Sequence, residues 1–321
     1  MNWQQLEPFL YQQQDILIMV HERPDGDAWG SGLGLGLVLE SLGYKPRLPR
    51  PYPIAESYSW MPGQHLIQQV PKGELRIPRD SAVILVDCGD QQRCEYFLGT
   101  KKALLNADHH ISNPNFGILN WVDAQAGATA QILCRLLFEE GVPVPAEAAT
   151  CFYTALVTDT GGFRFSSTSS ETLDIASKLL ACGADLALIR QKLWENRPKA
   201  ELVLLQEVME RIEYLAAGRG ILCALPYELL TAGGLQDTET DNTIEVLRSI
   251  EGIEAVLLLK ETSPGLIKAS LRSKNFLDSS AFMASLGGGG HVRAAGCTLQ
   301  EPFEKAKEKI GRLLTESLTN S

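Results

Sequence analysis

Residues 15–27, DILIMVHERPDGD, join a continuous apolar run to a polar loop that contains glycine. The first seven of these residues (15–21, DILIMVH) have the composition of a buried strand, and residues 30–42 predict the helix that follows it. The same alternation recurs downstream, with strands predicted at 81–88 (SAVILVDC) and 102–108 (KALLNAD) and helices at 127–140 and 146–157. Apolar strands that alternate with helices are typical of a parallel sheet covered on both faces. We therefore expect an α/β fold whose N-terminal domain is a doubly wound parallel sheet.

The second half of the chain predicts a smaller α/β domain. The polar segment 194–200 (WENRPKA) suggests a linker, and residues 201–215 have helical spacing of apolar residues. Strands are predicted at 220–225, 255–260 and 266–273, with a turn at 263–265 and a glycine-rich loop after the last strand. The expected division is a first domain at 1–190, a linker and helix at 191–212 and a second domain at 213–321, with a cleft between the two domains.

Composition narrows the classes of partner. The formal charge of −10 argues against a protein that coats long nucleic acid, although a few local cations can still bind a small phosphorylated substrate. The 7 cysteines form no CxxC pair, which disfavours zinc ribbons and disulfide frameworks. The N-terminal residues lack the features of a signal peptide, and no apolar run is long enough for a membrane span. We expect a cytoplasmic protein with no membrane partner and no long duplex as ligand.

Acidic and histidine side chains follow the predicted strands and helices in four segments. These are HERPDGD at 21–27, DCGD at 87–90, DHH at 108–110 and TDTGG at 158–162. Each residue alone has an ordinary explanation, because aspartate often caps helices or forms turns and a lone histidine such as His65 is usually structural. The ordered set of four has no comparable structural explanation. Carboxylates and imidazoles together suit a divalent cation such as Mn²⁺, and sites with two ions about 3.5–4 Å apart stabilise phosphoryl groups under attack.

These segments resemble the motifs of the DHH phosphoesterase family, which is named after the triplet found here at 108–110. HERPDGDAWGS, VDCGD, ADHH and TDTGGFRFSSTS are similar to its four motifs in family order, and GGGGHVRAAG at 287–296 resembles the signature of the DHHA1 domain. The resemblance covers nearly the whole chain. It implies a phosphoesterase that works with two divalent metal ions, most commonly Mn²⁺.

The resemblance also implies a role for each matching residue. One metal would be held by His21, Asp25 and Asp87, and the other by Asp27, Asp87, His109 and Asp159, with Asp87 bridging the two ions. The catalytic residues would be Asp87 and His110, with His110 facing the substrate phosphate. Asp108 would orient a neighbouring group, a contact that metal-bound imidazoles commonly need. Trp29 receives no role.

The expected substrate contacts lie in both domains. Four consecutive glycines are usually a flexible linker, but here Gly288, Gly289 and Gly290 directly precede His291, and glycine lets backbone N–H groups approach a phosphate. Arg272 can add a planar guanidinium fork suited to phosphate, and Arg164 in the fourth motif is a similar candidate.

Within the family, the two-domain length resembles the bifunctional oligoribonucleases that also act on 3′-phosphoadenosine 5′-phosphate. We expect hydrolysis of RNA of two to five nucleotides to 5′-mononucleotides, together with removal of the 3′-phosphate from that bisphosphate. The sequence leaves open a phosphodiesterase for linear or cyclic dinucleotides, an inorganic pyrophosphatase, a non-catalytic nucleotide-binding protein and a homodimeric assembly.

Overall fold

The computed structural model describes residues 3–11, 15–78, 80–91, 94, 103–236, 238 and 240–319. Contacts between residues divide the chain into two compact units, Met1–Asn196 and Arg197–Ser321. Among the described residues, no helix combines the length and apolar character that crossing a membrane requires.

The first unit is an α/β unit. Its strands are β1 (Asp15–Met19), β2 (Pro46–Arg50), β3 (Ile67–Gln69), β4 (Ser81–Val86), β5 (Leu105–Asp108) and β6 (Leu119–Val122). Its helices are α1 (Trp3–Tyr11), α2 (Gly26–Ser41), α3 (Thr129–Glu139), α4 (Ala146–Asp159), α5 (Ser170–Ala181) and α6 (Leu186–Trp194).

The strands of the first unit form one parallel sheet in the order β3-β2-β1-β4-β5-β6. Successive side chains of β1 enter two different cores: Ile16 and Ile18 pack with the helices on one face, whereas Leu17 and Met19 join the core on the other. Burial on both faces explains the uninterrupted apolar sequence of this strand. The strand order reverses between β1 and β4, which is the place where open α/β sheets bind ligands beyond the carboxyl ends of their strands.

The second unit is smaller. It contains α7 (Lys199–Met209), β7 (Glu213–Leu215), β8 (Gly220–Leu225), α8 (Tyr227–Gly233), α9 (Asp241–Arg248), β9 (Ala255–Ser263), β10 (Leu266–Ser273), α10 (Ser279–Ala284), β11 (Gly289–His291), β12 (Ala294–Gln300) and α11 (Phe303–Thr319). The sheet order is β11-β12-β10-β9-β8-β7, with β8 and β9 parallel and the other pairs antiparallel. Apolar residues of α11 cover one face of this sheet, and those of α7 and α9 cover the other.

The α/β class and the doubly wound parallel sheet predicted from sequence are confirmed, but several element bounds are wrong. Helix α2 begins at Gly26 rather than residue 30, because Asp25 caps it by accepting the backbone N–H groups of Asp27 and Ala28. Strand β5 begins at Leu105, and residue 102 lies outside the described residues. The helix predicted at 201–215 ends at Met209, and the last three residues of that prediction form β7.

The predicted glycine-rich loop is also corrected. Gly289–His291 form the edge strand β11, which pairs antiparallel with β12. A Cβ added at Gly288 would lie 2.3 Å from the Gly296 carbonyl oxygen, and one at Gly290 would lie 2.5 Å from the Ala294 carbonyl oxygen. These glycines are therefore required by close backbone packing within the unit rather than by flexibility.

Candidate metal centre

Strands β1 and β4 place the first polar groups of the site at the reversal of the sheet. His21 follows β1 and Asp87 follows β4, and both are almost fully buried. The His21 Nε2 and Asp87 Oδ2 atoms lie 3.5 Å apart. Asp87 has a φ of 56°, a left-handed conformation that costs a non-glycine residue free energy and is typical of functional sites.

The N-terminus of α2 supplies two carboxylates. Asp25 is the N-cap and accepts the backbone N–H groups of Asp27 and Ala28, each at 3.1 Å. Asp27 lies in the first turn and is buried, with Ser31 Oγ donating to its Oδ1 atom at 2.8 Å. Negative charge at a helix N-terminus is favoured by the helix dipole, which partly offsets the cost of burying Asp27.

Close packing of α2 against α4 brings in a further acid. A Cβ at Gly26 would lie 2.3 Å from Thr158 Oγ1, and one at Gly30 would lie 2.4 Å from the Cys151 carbonyl oxygen. Glycine at these two helical positions therefore lets the backbones of α2 and α4 approach. Asp159, the last residue of α4, consequently reaches the acids at the start of α2.

Strand β5 ends in the two histidines of the site. The Nδ1 atom of His109 lies 3.2 Å from the Ala126 carbonyl oxygen, and because a carbonyl can only accept, Nδ1 carries the proton. The Nε2 lone pair of His109 then faces carboxylate oxygens of Asp159 at 3.3 Å and of Asp27 and Asp87 at 3.8 Å each. A hydrogen bond that fixes the tautomer in this way is what metal-binding imidazoles commonly have.

His110 is held differently. Its Nδ1 atom lies 2.7 Å from Asp108 Oδ1, and Asn113 Nδ2 donates to the other oxygen of the same carboxylate at 2.6 Å. Asp108 is fully buried, so this pair fixes the position of the imidazole ring. His110 Nδ1 also lies 3.7 Å from Asp87 Oδ1.

Three overlapping groups of potential ligand atoms result, in each of which the atoms lie within 4.8 Å of one another. They are His21 with Asp25 and Asp87, Asp27 with His109 and Asp159, and Asp87 with His109 and His110. Several of the separations between nitrogen and oxygen are 3.3–3.8 Å, which is longer than a good hydrogen bond. Such spacing leaves room for cations between the donors.

The pKa values indicate a site that lacks positive charge. Burial, with repulsion from Asp87, raises the pKa of Asp27 to about 7, and burial with repulsion from neighbouring aspartates raises the pKa of Asp159 well above its usual range. Burial opposes ionisation of Asp87 too, but the interaction with His21 and the charge of His109 lower its pKa to about 2. The charges of Asp27 and Asp87 outweigh burial and raise the pKa of His109. Divalent cations would relieve this repulsion, so the donor set fits them.

Other residues considered from the sequence are not members of these ligand groups. Arg164 is exposed in the first unit, where its Nε donates to the Gly161 carbonyl oxygen at 2.6 Å. Arg272 is partly exposed on β10 of the second unit, 4.0 Å from Glu245 Oε1. The His291 side chain lies outside what the structure describes. His65 is mostly exposed and contacts Glu40 at 3.0 Å.

Sequence reasoning missed the segment at the start of α3. The N–H group of Thr129 donates to Asp27 Oδ2 at 2.6 Å and its hydroxyl donates to Asp87 Oδ1 at 3.1 Å. Thr129 lies 102 residues beyond Asp27, so only the fold brings them together. The one available signal was a hydroxyl residue at the start of a predicted helix, where such residues are common.

Known proteins share this fold and its motifs. Residues 15–156 match the DHH family, N-terminal domain, and residues 227–319 match the DHHA1 domain. The chain is 34% identical over 314 residues to the bifunctional oligoribonuclease and PAP phosphatase NrnA of Thermus thermophilus. The aligned region covers 95% of this chain and 91% of that protein. The protein of the same name from Bacillus subtilis is 26% identical over 293 residues, with 88% and 89% covered.

A solved structure agrees in fold. The exopolyphosphatase-related protein from Bacteroides fragilis superposes with a TM-score of 0.90 at 24% identity, over 99% of this chain and 96% of that one. The family of this chain follows from two findings. Both domain models match in order along the chain, and the similarity to the Thermus protein extends over nearly its whole length. This chain belongs to the DHH phosphoesterase family and combines a DHH domain with a DHHA1 domain.

Proposed function

We propose that the protein hydrolyses RNA of two to five nucleotides to 5′-mononucleotides and removes the 3′-phosphate from 3′-phosphoadenosine 5′-phosphate. The observation that carries this proposal is the cluster of carboxylates and imidazoles at the reversal of the sheet, in a chain that is 34% identical to a bifunctional oligoribonuclease and PAP phosphatase. The first unit would be the catalytic domain and the second would bind the substrate.

Two divalent ions would be held by the cluster. His21, Asp25 and Asp87 would bind one ion, and Asp27, Asp87, His109 and Asp159 would bind the other, with Asp87 shared. When bound, the ions would supply Lewis-acid stabilisation of the phosphoryl oxygens and activation of the attacking water. The mixture of carboxylate and imidazole donors suits Mn²⁺.

The geometry of Asp87 supports its shared role. Its Oδ2 atom faces His21 at 3.5 Å, whereas its Oδ1 atom faces His109 at 3.8 Å. One oxygen of Asp87 thus faces the group that contains His21, and the other faces the group that contains His109. The left-handed backbone of Asp87 is the strained conformation that aims the side chain there.

His110 would act on the substrate. Although burial lowers its pKa, the hydrogen bond to Asp108 and the charge of Asp87 raise it above the ordinary value. A raised pKa keeps the imidazolium form at higher pH, which suits a general acid that protonates the leaving oxygen. Because Nδ1 is bonded to Asp108, Nε2 is the nitrogen through which His110 would act.

The second unit would also contact the substrate. Arg272 lies on β10, opposite Ala294 of β12, and the guanidinium group suits a phosphate. A Cβ at Gly289 would meet no atom within 4 Å, in contrast to Gly288 and Gly290. Gly289 is therefore the glycine of β11 at which a phosphate could approach the backbone. We include His291 and, in the first unit, Arg164 as further contacts.

The charge of the chain supports a short substrate. With a formal charge of −10, the protein lacks the excess of basic residues that grooves for long single strands usually need. Short oligonucleotides and nucleotides are cytoplasmic metabolites, so we propose that location.

A matched substrate panel tests the function. Purified protein with Mn²⁺ would be given an RNA dinucleotide, a 24-nucleotide RNA, 3′-phosphoadenosine 5′-phosphate, linear and cyclic di-AMP, and pyrophosphate. We expect the highest kcat/KM on the dinucleotide, with turnover of the bisphosphate and loss of both activities in Asp87→Ala. Preference for pyrophosphate, the long strand or the cyclic dinucleotide would refute the proposed substrate class, and no turnover at all would favour a binding protein.

A further inference from the structure

The segment at 126–130, AGATA, contacts the ligands of one metal group in particular. The Ala126 carbonyl oxygen accepts from His109 Nδ1 at 3.2 Å, and the N–H groups of Thr129 and Ala130 donate to Asp27 at 2.6 and 3.2 Å. Among the described residues, this segment makes no hydrogen bond to the side chains of His21 or Asp25. The segment thus supports the ligands His109 and Asp27, which belong to the same metal group.

Thr129 is the residue of this segment that touches two carboxylates at once. Its N–H donates to Asp27 Oδ2, and its hydroxyl donates to Asp87 Oδ1 at 3.1 Å. The oxygen of Asp87 that it contacts is the one that faces His109 rather than His21. Thr129 is fully buried, so no water competes for these bonds.

We propose that Thr129 is the positioning residue of the second metal group (Asp27, Asp87, His109 and Asp159), and that its hydroxyl sets the affinity of that group without contributing to the first. This inference rests on the proposed two-metal function. The hydroxyl would turn the Oδ1 atom of Asp87 toward the second group while the N–H fixes Asp27. Outer hydrogen bonds of this kind typically contribute about 10–100-fold to metal affinity.

The hydrogen bonds at the start of α3 explain why the Thr129 hydroxyl is available to bond to Asp87. The backbone N–H groups at a helix N-terminus need acceptors. Here Asp27 accepts two of them, and no side-chain cap occupies position 128, which is alanine. The Thr129 hydroxyl is therefore not used to cap its own helix and is directed to Asp87 instead.

Mn²⁺ titration of chelator-treated protein, followed by calorimetry, tests the proposal directly. Thr129→Val removes the hydroxyl at nearly constant shape, and Thr129→Ser keeps it as the matched control. We expect Thr129→Val to weaken one of the two binding steps about 10–100-fold, and Thr129→Ser to bind both ions almost as the wild type does. Equal affinity of Thr129→Val and the wild type, or equal loss in the valine and serine variants, would overturn the proposal.

Two ligand variants identify the affected group. Asp25 belongs only to the group around His21 and Asp159 only to the group around Asp27, so Asp25→Asn and Asp159→Asn each weaken a ligand of one group. Adding Thr129→Val should weaken the remaining strong site in the Asp25→Asn background and leave it unchanged in the Asp159→Asn background. The reverse pattern, or a loss in both backgrounds, would refute the selective role. Because these readouts use Mn²⁺ alone, they are independent of which substrate the enzyme takes.

Discussion

The packing of α2 against α4 can be tested by adding one methyl group at Gly30. A Cβ there would lie 2.4 Å from the Cys151 carbonyl oxygen, 2.8 Å from Ala155 Cβ and 3.0 Å from the Ala155 backbone nitrogen. Two of these atoms belong to the backbone of α4 and cannot rotate away. Gly30→Ala must therefore push the two helices apart.

The size of the effect follows from these distances. The contact to the Cys151 oxygen must grow by at least 0.6 Å, from 2.4 Å to the 3.0 Å below which real Cβ atoms are essentially never found. Overpacking of this kind costs roughly 1–3 kcal/mol, whereas alanine regains up to about 1 kcal/mol of helix propensity. We expect a net loss on the order of 1–2 kcal/mol of unfolding free energy. Because Asp159 moves with α4 and metal sites tolerate ligand errors of only about 0.2 Å, Mn²⁺ binding should also weaken, roughly tenfold.

Gly32 provides the control on the opposite side of the same helix. A Cβ there would meet only side chains, the nearest being Val20 Cγ1 at 3.3 Å. Gly32→Ala should be neutral or stabilise by up to about 1 kcal/mol and leave Mn²⁺ binding unchanged. Urea unfolding and Mn²⁺ titration of both variants give the comparison. If Gly30→Ala matched Gly32→Ala in both assays, the reasoning from helix contact to metal geometry would be wrong.

Three further predictions concern pH, substrate binding and the second unit. The pKa of Asp27 is raised from 3.8 to about 7 in the folded protein, so between these pH values Asp27 binds a proton more tightly in the folded state than in the unfolded chain. The melting temperature of the chelator-treated protein should therefore fall as the pH rises from about 4 to 7. Added Mn²⁺ should cancel this loss, and a profile that is equally steep in Asp27→Asn would contradict it. Arg272→Ala should raise KM for the RNA dinucleotide about 10-fold or more, because one charge-assisted hydrogen bond to the substrate is lost, and it should leave Mn²⁺ affinity unchanged. An equal loss of Mn²⁺ affinity would make Arg272 a structural residue. Glu254→Gln should lower the unfolding free energy by roughly 1–3 kcal/mol, because the buried carboxylate accepts the backbone N–H groups of residues 275–277. Exposed Glu251→Gln is the control in urea unfolding, and equal stability of the two variants would refute the role of that carboxylate.

The sequence predicted those parts of the molecule that depend on local patterns. Strand β1 is apolar from Ile16 to Met19 because both faces of the first sheet are covered, and this pattern is visible in the sequence alone. The acids and histidines at the carboxyl ends of β1, β4 and β5 were placed at one edge because parallel strands must end together. The structure brings those side chains within ligand distance of one another, and their roles in binding metal remain predictions.

Features that depend on pairing between segments, rather than on the periodicity of one segment, were not predictable in the same way. Residues 213–215 continue the apolar spacing of α7, but they pair with β8 and so become a strand. Consecutive glycines at 287–290 suggest a loop, whereas their pairing with β12 forms β11. The contacts of Thr129 with Asp27 and Asp87 likewise arise only when α3 is packed beside the sheet. The partners of β7 and β11 are neighbouring strands of hairpins, whereas Asp27 and Asp87 lie 102 and 42 residues from Thr129. None of these pairings leaves a periodic signal in the sequence.

We propose that this centre needs two divalent ions for phosphoester hydrolysis. The most direct test is the initial rate of RNA dinucleotide cleavage by chelator-treated protein as Mn²⁺ is added in known equivalents per chain. If both ions are required, the rate stays low up to one equivalent and reaches its maximum once two equivalents are bound. Full activity with one ion, or with none, would contradict it.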